Sequence, residues 1–308
     1  MSIERRDFTH THSPKAFSTG TLLSIPDIHP GSGITETPCL RVVHLTDVHI
    51  RPEYDAPERF RAMLRYIRLT NPDISLYLNG GGTVYTPRGE AVPRERIEEE
   101  WRLWKECIAA EVPDVTMMSC LGDDDLRWAG EAEDPLRGKP YVQRQLETPS
   151  TYYSFTRNGW LFCMLDSNHA NGSLGEEQMA WLKTELEHSR NLPVLVVSHY
   201  PLVAFSTIPD RSGIHQDWEE IIALFNANPN VKLCLSGHTH LLDRVWYNGV
   251  KYCCNGSASG YWWEAGDDGK SSYKQTPPGY ALVDLFADGR SRCEYIPFPH
   301  GSISDNAF

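Results

Sequence analysis

From residue 40 onward the chain alternates short apolar runs with stretches whose apolar residues recur every three or four positions. Arg41 to Thr46, Ile74 to Leu78, Val115 to Leu121, Val194 to Ser198 and Val231 to Leu235 have the length and character of buried strands. Between them lie four helical patterns. Phe60, Met63, Leu64 and Ile67 mark the first, and Ile97, Trp101, Trp104 and Ile108 the second. Met179, Leu182 and Leu186 mark the third, and Trp218, Ile221, Ile222 and Phe225 the fourth. Strands alternating with helices predict βαβ units with a parallel core. Asn158-Gly159, Asn248-Gly249 and Asp288-Gly289 are hairpin-turn signals, and the last two make the end of the chain a meander. A polar, proline-bearing stretch from about Asp125 to Ser150 reads as an insertion. The pattern predicts one α/β domain over residues 39–308, a four-layer αββα sandwich with two facing mixed sheets and helices outside.

Residues 1–38 lack this periodicity and read as a loosely ordered leader. Arg5-Arg6-Asp7-Phe8 looks like the start of a twin-arginine export signal, but the polar run Thr9 to Lys15 stands where the apolar segment belongs. The leader therefore reads as a vestigial signal of an exported ancestor, and the chain as written as cytoplasmic. No run approaches the roughly 20 apolar residues of a membrane helix. With 308 residues, 40% of them hydrophobic, the chain can bury a core without disulfide staples. The eight cysteines include no Cys-x-x-Cys pair and read as buried free thiols. A net charge of −12 argues against nucleic acid as a partner. A small anionic substrate can still bind where cations line the site.

The chemistry gathers at strand ends. The first strand runs into Asp47-Val48-His49, the third into Gly122-Asp123-Asp124-Asp125, the next into His199, and the next into Gly237-His238-Thr239-His240. Alternate residues of an extended segment face the same way, so each pair can reach one ion. Ligands of open α/β sheets collect beyond the carboxyl ends of the strands. Imidazole with carboxylate suits zinc, manganese or iron. Singly, Asp-x-His also arises in surface turns, and a lone buried histidine is often a hydrogen-bonded core residue. Three histidine-bearing strand ends in this order point instead to a metal cluster.

This order resembles the calcineurin-like metallophosphoesterases, and most closely their bacterial phosphodiesterase-like members. Their pattern is Asp-x-His, Gly-Asp, Gly-Asn-His-Asp/Glu, a lone His, then Gly-His-x-His. The likeness covers about residues 40 to 296, with flanking similarity at Tyr152-Tyr153-Ser154-Phe155, Asp166-Ser167 and Ser198-His199-Tyr200-Pro201-Leu202. It implies two divalent or trivalent transition-metal ions (manganese, iron or zinc). Asp47, His49 and His240 would hold the first, and His199 and His238, helped by Asp123, the second.

Two central positions depart from that pattern. Gly81-Gly82 stands where Gly-Asp is expected, so the carboxylate that bridges the two ions is absent. Asp123 and Asp124 replace an amide and an imidazole. Asp123 returns one carboxylate to the cluster. Asp124 can act as a catalytic acid only when protonated, and repels phosphate when ionised. Gly82 is expected to leave a hole between the metal positions and a weakly held second ion.

The resemblance implies a metal-dependent phosphoesterase acting on a small phosphorylated substrate, a diester in preference to a monoester. The alternative is a non-catalytic relative that binds metal or ligand. Tyr261-Trp262-Trp263 reads either as an aromatic wall for substrate or as sheet-edge packing. Arg211 and His215 read as cleft-lining residues or as part of a solvated loop, and His169 as structural or exposed.

Overall fold

A computed structural model describes residues 37–85, 92–126, 134–135, 137–170, 172–207, 213–259 and 276–298. The twin-arginine-like segment, Arg211 and Tyr261-Trp262-Trp263 lie outside the described residues.

Two sheets face each other. The first is five-stranded, in the order β11-β10-β1-β2-β3. Its strands are β1 (Leu40–Leu45), β2 (Leu76–Asn79), β3 (Thr116–Ser119), β10 (Gly279–Leu285) and β11 (Ser291–Pro297). β1, β2 and β3 run parallel, while β10 pairs antiparallel with β1 and with β11. The second sheet is six-stranded, in the order β4-β5-β6-β7-β9-β8. It holds β4 (Tyr153–Arg157), β5 (Trp160–Met164), β6 (Val194–Val197), β7 (Val231–Ser236), β8 (Asp243–Tyr247) and β9 (Val250–Cys254). β5, β6, β7 and β9 are parallel, with β4 and β8 antiparallel at the edges.

The two-residue period of the strands sorts their side chains into layers. Val42 of β1, Leu76 and Leu78 of β2, Leu195 and Val197 of β6 and Leu233 of β7 form the core between the sheets. Val43 and Leu45 face the other way, against Phe60, Met63, Leu64 and Ile67 of helix α1 (Ala56–Thr70) and Ile97, Trp101 and Trp104 of α2 (Arg94–Glu111). Val194 and Val196 likewise meet Leu182 and Leu186 of α4 (Gly175–His188) and Ile221 and Phe225 of α5 (Trp218–Ala227). The layers are therefore helix, sheet, sheet, helix, as the pattern predicts.

The insertion holds more structure than its polarity suggests. It contains α3 (Lys139–Leu146), which buries Tyr141, Val142 and Leu146 in the same apolar cluster as α1, α2 and the first sheet. Only three apolar side chains in eight residues face inward, too few to stand out as a periodic pattern. The hairpin turns follow their sequence: Asn158 and Gly159 have φ of 47° and 80°, and Asn248 and Gly249 have 49° and 80°. Two consecutive positive values define the tight turn that fits the strand twist. All eight cysteines are free, seven of them buried. Among the described residues no helix is long and apolar enough to cross a membrane.

Candidate metal centre

The carboxyl ends of β1, β2, β3, β6, β7 and β9 open at the same edge of the sandwich, and their following loops interlock. Asp47 N–H donates to Gly81 O (2.9 Å) and His49 N–H to Gly82 O (2.8 Å). Ala258 N–H donates to Thr46 O (2.9 Å), and Ser257 Oγ to Asp47 O (2.7 Å). Extended alternation, expected for the two histidine-bearing pairs, is not what gathers their side chains. Asp47, His49, His238 and His240 have φ of 53°, 48°, 68° and 56°, all in the left-handed region. That conformation costs a non-glycine residue of order 1–3 kcal/mol and persists only where surrounding contacts impose it. It occurs at four of the six candidate ligands, and the bonds to Gly81 and Gly82 hold it at Asp47 and His49.

The six residues fall into two groups. In the first, Asp47, His49 and His240 are all buried. His49 Nε2 and His240 Nε2 lie 3.0 Å apart, and Asp47 Oδ1 lies 3.3 Å from His240 Nε2 and 3.6 Å from His49 Nε2. In the second, Asp123 and His238 are half-buried and His199 is buried. Asp123 Oδ1 is 3.1 Å from His199 Nε2 and 3.3 Å from His238 Nδ1. In each group one potential ligand atom per residue lies within 4.8 Å of the others. His199 Nδ1 donates to Gly80 O (2.9 Å), which fixes the tautomer and turns the Nε2 lone pair into the site. The Tyr200 ring lies 4.1 Å, centroid to centroid, from that of His238.

The charges are strongly coupled. Burial works against ionisation of Asp47, yet His240 and His199 hold its carboxyl well below the usual carboxylate range. Burial also works against charge on Asp123, and hydrogen bonds from His199 and His238 overcome it and lower its pKa. His199 is weakened as a base by burial, but Asp123 and Asp47 outweigh that and raise it to about 9. His49 is raised as well, with Asp47 and Asp124 overcoming burial, whereas burial lowers His240. Ionised carboxylates thus hold protons on neighbouring imidazoles, and a bound metal ion would displace those protons. Buried Asp47 Oδ1 makes no well-formed hydrogen bond, and imidazole nitrogens face it from 3.3 Å and beyond. A cation would satisfy it, and the imidazole–carboxylate donor set suits zinc, manganese or iron. On both counts the residues fit a metal ion in each group.

Position 82 does not open a hole. A Cβ there would lie 2.9 Å from Asp47 Oδ1 and 3.3 Å from His49 Cε1, at a φ of +65°. The Asp47 oxygen already takes up the space where a side chain would begin. Asp124 is buried, with its Oδ2 3.4 Å from His49 Nδ1. His215, read as cleft-lining or solvated, is a fully buried residue that pairs through Nε2 with Ser198 Oγ (2.7 Å) and through Nδ1 with Asp217 (3.2 Å). His169 is exposed.

Asp125 was not singled out by sequence, yet it ties the site together. Its Oδ1 accepts the N–H groups of Thr83 (2.8 Å) and Val84 (3.1 Å), and its Oδ2 that of Gly122 (2.8 Å). It thereby fixes the loop after β2 to the loop after β3. Its place in the third motif was the signal available, masked by the two aspartates before it.

Comparison with known proteins places this geometry in context. The family model described as calcineurin-like phosphoesterase matches residues 40–242. A 3′,5′-cyclic-nucleotide phosphodiesterase of Nostoc sp. is 33% identical over 151 residues, covering 47% of this chain and 56% of that protein. A manganese-dependent ADP-ribose/CDP-alcohol diphosphatase of Arabidopsis thaliana is 31% identical over 72 residues, 23% of this chain and 22% of that protein. The chain thus spans about half the length of the first relative and less of the second. Among solved structures, a dimetal phosphatase from Danio rerio has a TM-score of 0.63 at 14% identity, covering 85% of this chain and 98% of that one. The inner membrane complex anchor of Plasmodium has a TM-score of 0.54 at 15% identity, covering 85% and 90%. At these identities the structural likenesses are of fold.

Proposed function

The chain belongs to the calcineurin-like phosphoesterase family, whose members are metal-dependent hydrolases, and on that premise we propose that it hydrolyses small phosphoesters. Asp47, His49 and His240 would hold one ion, and Asp123, His199 and His238 the other. The observation that carries this reading is the pair of Asp-His-His groups set side by side at the carboxyl ends of both sheets. Divalent ions at such a centre supply a Lewis acid for the phosphoryl oxygen and activate water at neutral pH.

The chain's own groups do the rest. Gly80 O orients His199, and Asp47 Oδ2 accepts the backbone N–H of His238 (2.9 Å), so both rings are held for binding. Asp125 keeps the loops after β2 and β3 in register with them. Asp124 is assigned two roles according to its protonation. As a carboxylate it faces His49 Nδ1 and orients that ring. Only if protonated could it also give a proton to the leaving oxygen, the catalytic-acid role expected from its place in the motif.

A diester is preferred over a monoester. A phosphodiester carries one negative charge, whereas a phosphomonoester carries nearly two at neutral pH. A chain of net charge −12, with Asp123 and Asp124 beside the site, repels the second more strongly. The cyclic-nucleotide phosphodiesterase name of the Nostoc relative supports the same choice. A second reading, a metal-binding relative without activity, is favoured by one observation: position 124 holds a carboxylate and position 82 no side chain. The two readings separate when chelator-stripped protein is reloaded with manganese and assayed on bis-p-nitrophenyl and p-nitrophenyl phosphate. Turnover of the diester above the monoester supports the proposal. Equal or greater monoester turnover removes the diester preference, and a metal-loaded protein inert on both establishes the binding role.

A further inference from the structure

On the reading that the two groups hold metal ions, we infer that Asp47 Oδ1 bridges them, taking over the link that position 82 does not provide. The two oxygens of Asp47 have different surroundings. Oδ2 accepts from Thr46 Oγ1 (2.8 Å) and from the His238 backbone N–H (2.9 Å). Oδ1 is buried and makes no well-formed hydrogen bond. Three imidazole nitrogens surround it: His240 Nε2 at 3.3 Å, His49 Nε2 at 3.6 Å and His199 Nε2 at 3.9 Å. The first two belong to one group and the third to the other.

Two atoms that each bind one ion at about 2.1 Å are at most about 4.2 Å apart. All three separations fall inside that limit, so Oδ1 can share an ion with His49 and His240 and another with His199. A carboxylate oxygen has the lone pairs to do both. The glycines around it make the position available. A Cβ at Gly82 would come within 2.9 Å of Oδ1, and a Cβ at Gly237 would come too close to Oδ2. Asp47 therefore stands in the slot between the two loops, where glycine on either side admits its carboxylate. Asp123 belongs to the second group, beside His199 and His238.

The test measures metal binding, not hydrolysis. The intact chain, Asp47→Asn, the His49→Ala/His240→Ala double variant and Gly82→Ala are stripped and titrated with manganese by equilibrium dialysis, with thermal melts as a control for folding. The double variant is expected to lose one ion and keep the other at nearly its original affinity. Asp47→Asn is expected to lose the first ion and hold the second at least about tenfold more weakly than the double variant does. Gly82→Ala deletes no ligand side chain. It is expected to weaken both ions, because the new methyl group displaces the shared oxygen. In the two-ion form of the intact chain, electron paramagnetic resonance should show exchange-coupled manganese. An uncoupled spectrum, an Asp47→Asn variant that binds its ion as tightly as the double variant, or a Gly82→Ala variant weakened at one ion alone would overturn the bridge. A coupled pair in a protein that hydrolyses no phosphoester leaves the bridge standing and removes the activity proposed above. Active protein with uncoupled ions does the reverse.

Discussion

The group of Asp47, His49 and His240 is closed, with all three side chains buried and both imidazole Nε2 atoms turned toward one carboxylate oxygen. The group of Asp123, His199 and His238 is half open, with Asp123 and His238 partly exposed and the Tyr200 ring over His238. The first draws on β1 and β7 and keeps both residues of Asp-x-His and the last histidine of Gly-His-x-His. The second draws on β3, β6 and β7 and contains a substituted position, Asp123. A closed group fixed by strained backbone is preorganised, so a ligand lost there cannot be replaced by water without disturbing the core. An open group can recruit water. The two should therefore differ in how much each residue matters, and the departures from the pattern should matter most where the site opens.

The largest effect is expected from restoring positions 123 and 124 together, with Gly82 kept because a side chain there would press on Asp47 Oδ1. Asp123→Asn with Asp124→His supplies an imidazole beside the leaving group. Diester hydrolysis by the manganese-loaded double variant should exceed that of the parent by about a hundredfold or more, the usual scale of general acid catalysis. A rate no higher than the parent's would mean that position 124 does not stand beside the leaving group.

A smaller effect sharpens the contrast between the groups. His240→Ala should weaken manganese binding by about a hundredfold and His238→Ala by about tenfold, the two ends of the range expected when a metal site loses support. Equal losses in a binding titration would erase the distinction between closed and open sites.

Protons give a milder test of the open group. His199 holds a proton up to about pH 9 in the metal-free chain. A metal ligand must be deprotonated, so the proton competes with metal below that pH and not above it. Affinity of the second ion should rise by about tenfold per pH unit up to about pH 9 and then level off. Calorimetry at pH 7 in buffers of different ionisation enthalpy should register the released proton. A pH-independent affinity over that range would contradict the charge coupling among His199, Asp123 and Asp47.

The smallest effect concerns the rim. Phe205 is 69% exposed, and neighbouring Ser206 Oγ donates to Thr239 Oγ1 between the two histidines of the last motif. A large apolar side chain exposed at this point suits contact with the non-phosphate part of a substrate. Phe205→Ala should raise KM for an aryl diester by about threefold and leave kcat unchanged. A change in kcat alone would place Phe205 outside substrate binding.

Much of this was legible in the sequence because buried strands announce themselves. Val194 to Val197 is apolar without interruption, and Val42 to Leu45 and Val231 to Leu235 are broken only by His44 and Lys232, so the polar residues that follow them stand out as Asp47, His49, His199, His238 and His240. The layers follow from the same runs, since alternate residues must be covered on both faces. What escaped was set by contacts distant in the chain. The left-handed backbone at Asp47 and His49 is held by hydrogen bonds to the loop after β2, and no local pattern marks it. Asp125 acts through three backbone N–H groups, two of which lie more than forty residues away in sequence. A glycine at 82 reads as a missing ligand. That Asp47 Oδ1 occupies the space beside it depends on the packing of two loops.

The measurement that bears most directly on the account is the rate of p-nitrophenol release from bis-p-nitrophenyl phosphate as manganese is titrated into the stripped chain, with bound metal measured in the same samples. The account predicts a rate near zero without metal that rises with bound manganese and is lost again in Asp47→Asn. Protein that fills with manganese while its rate stays at the metal-free level would contradict it.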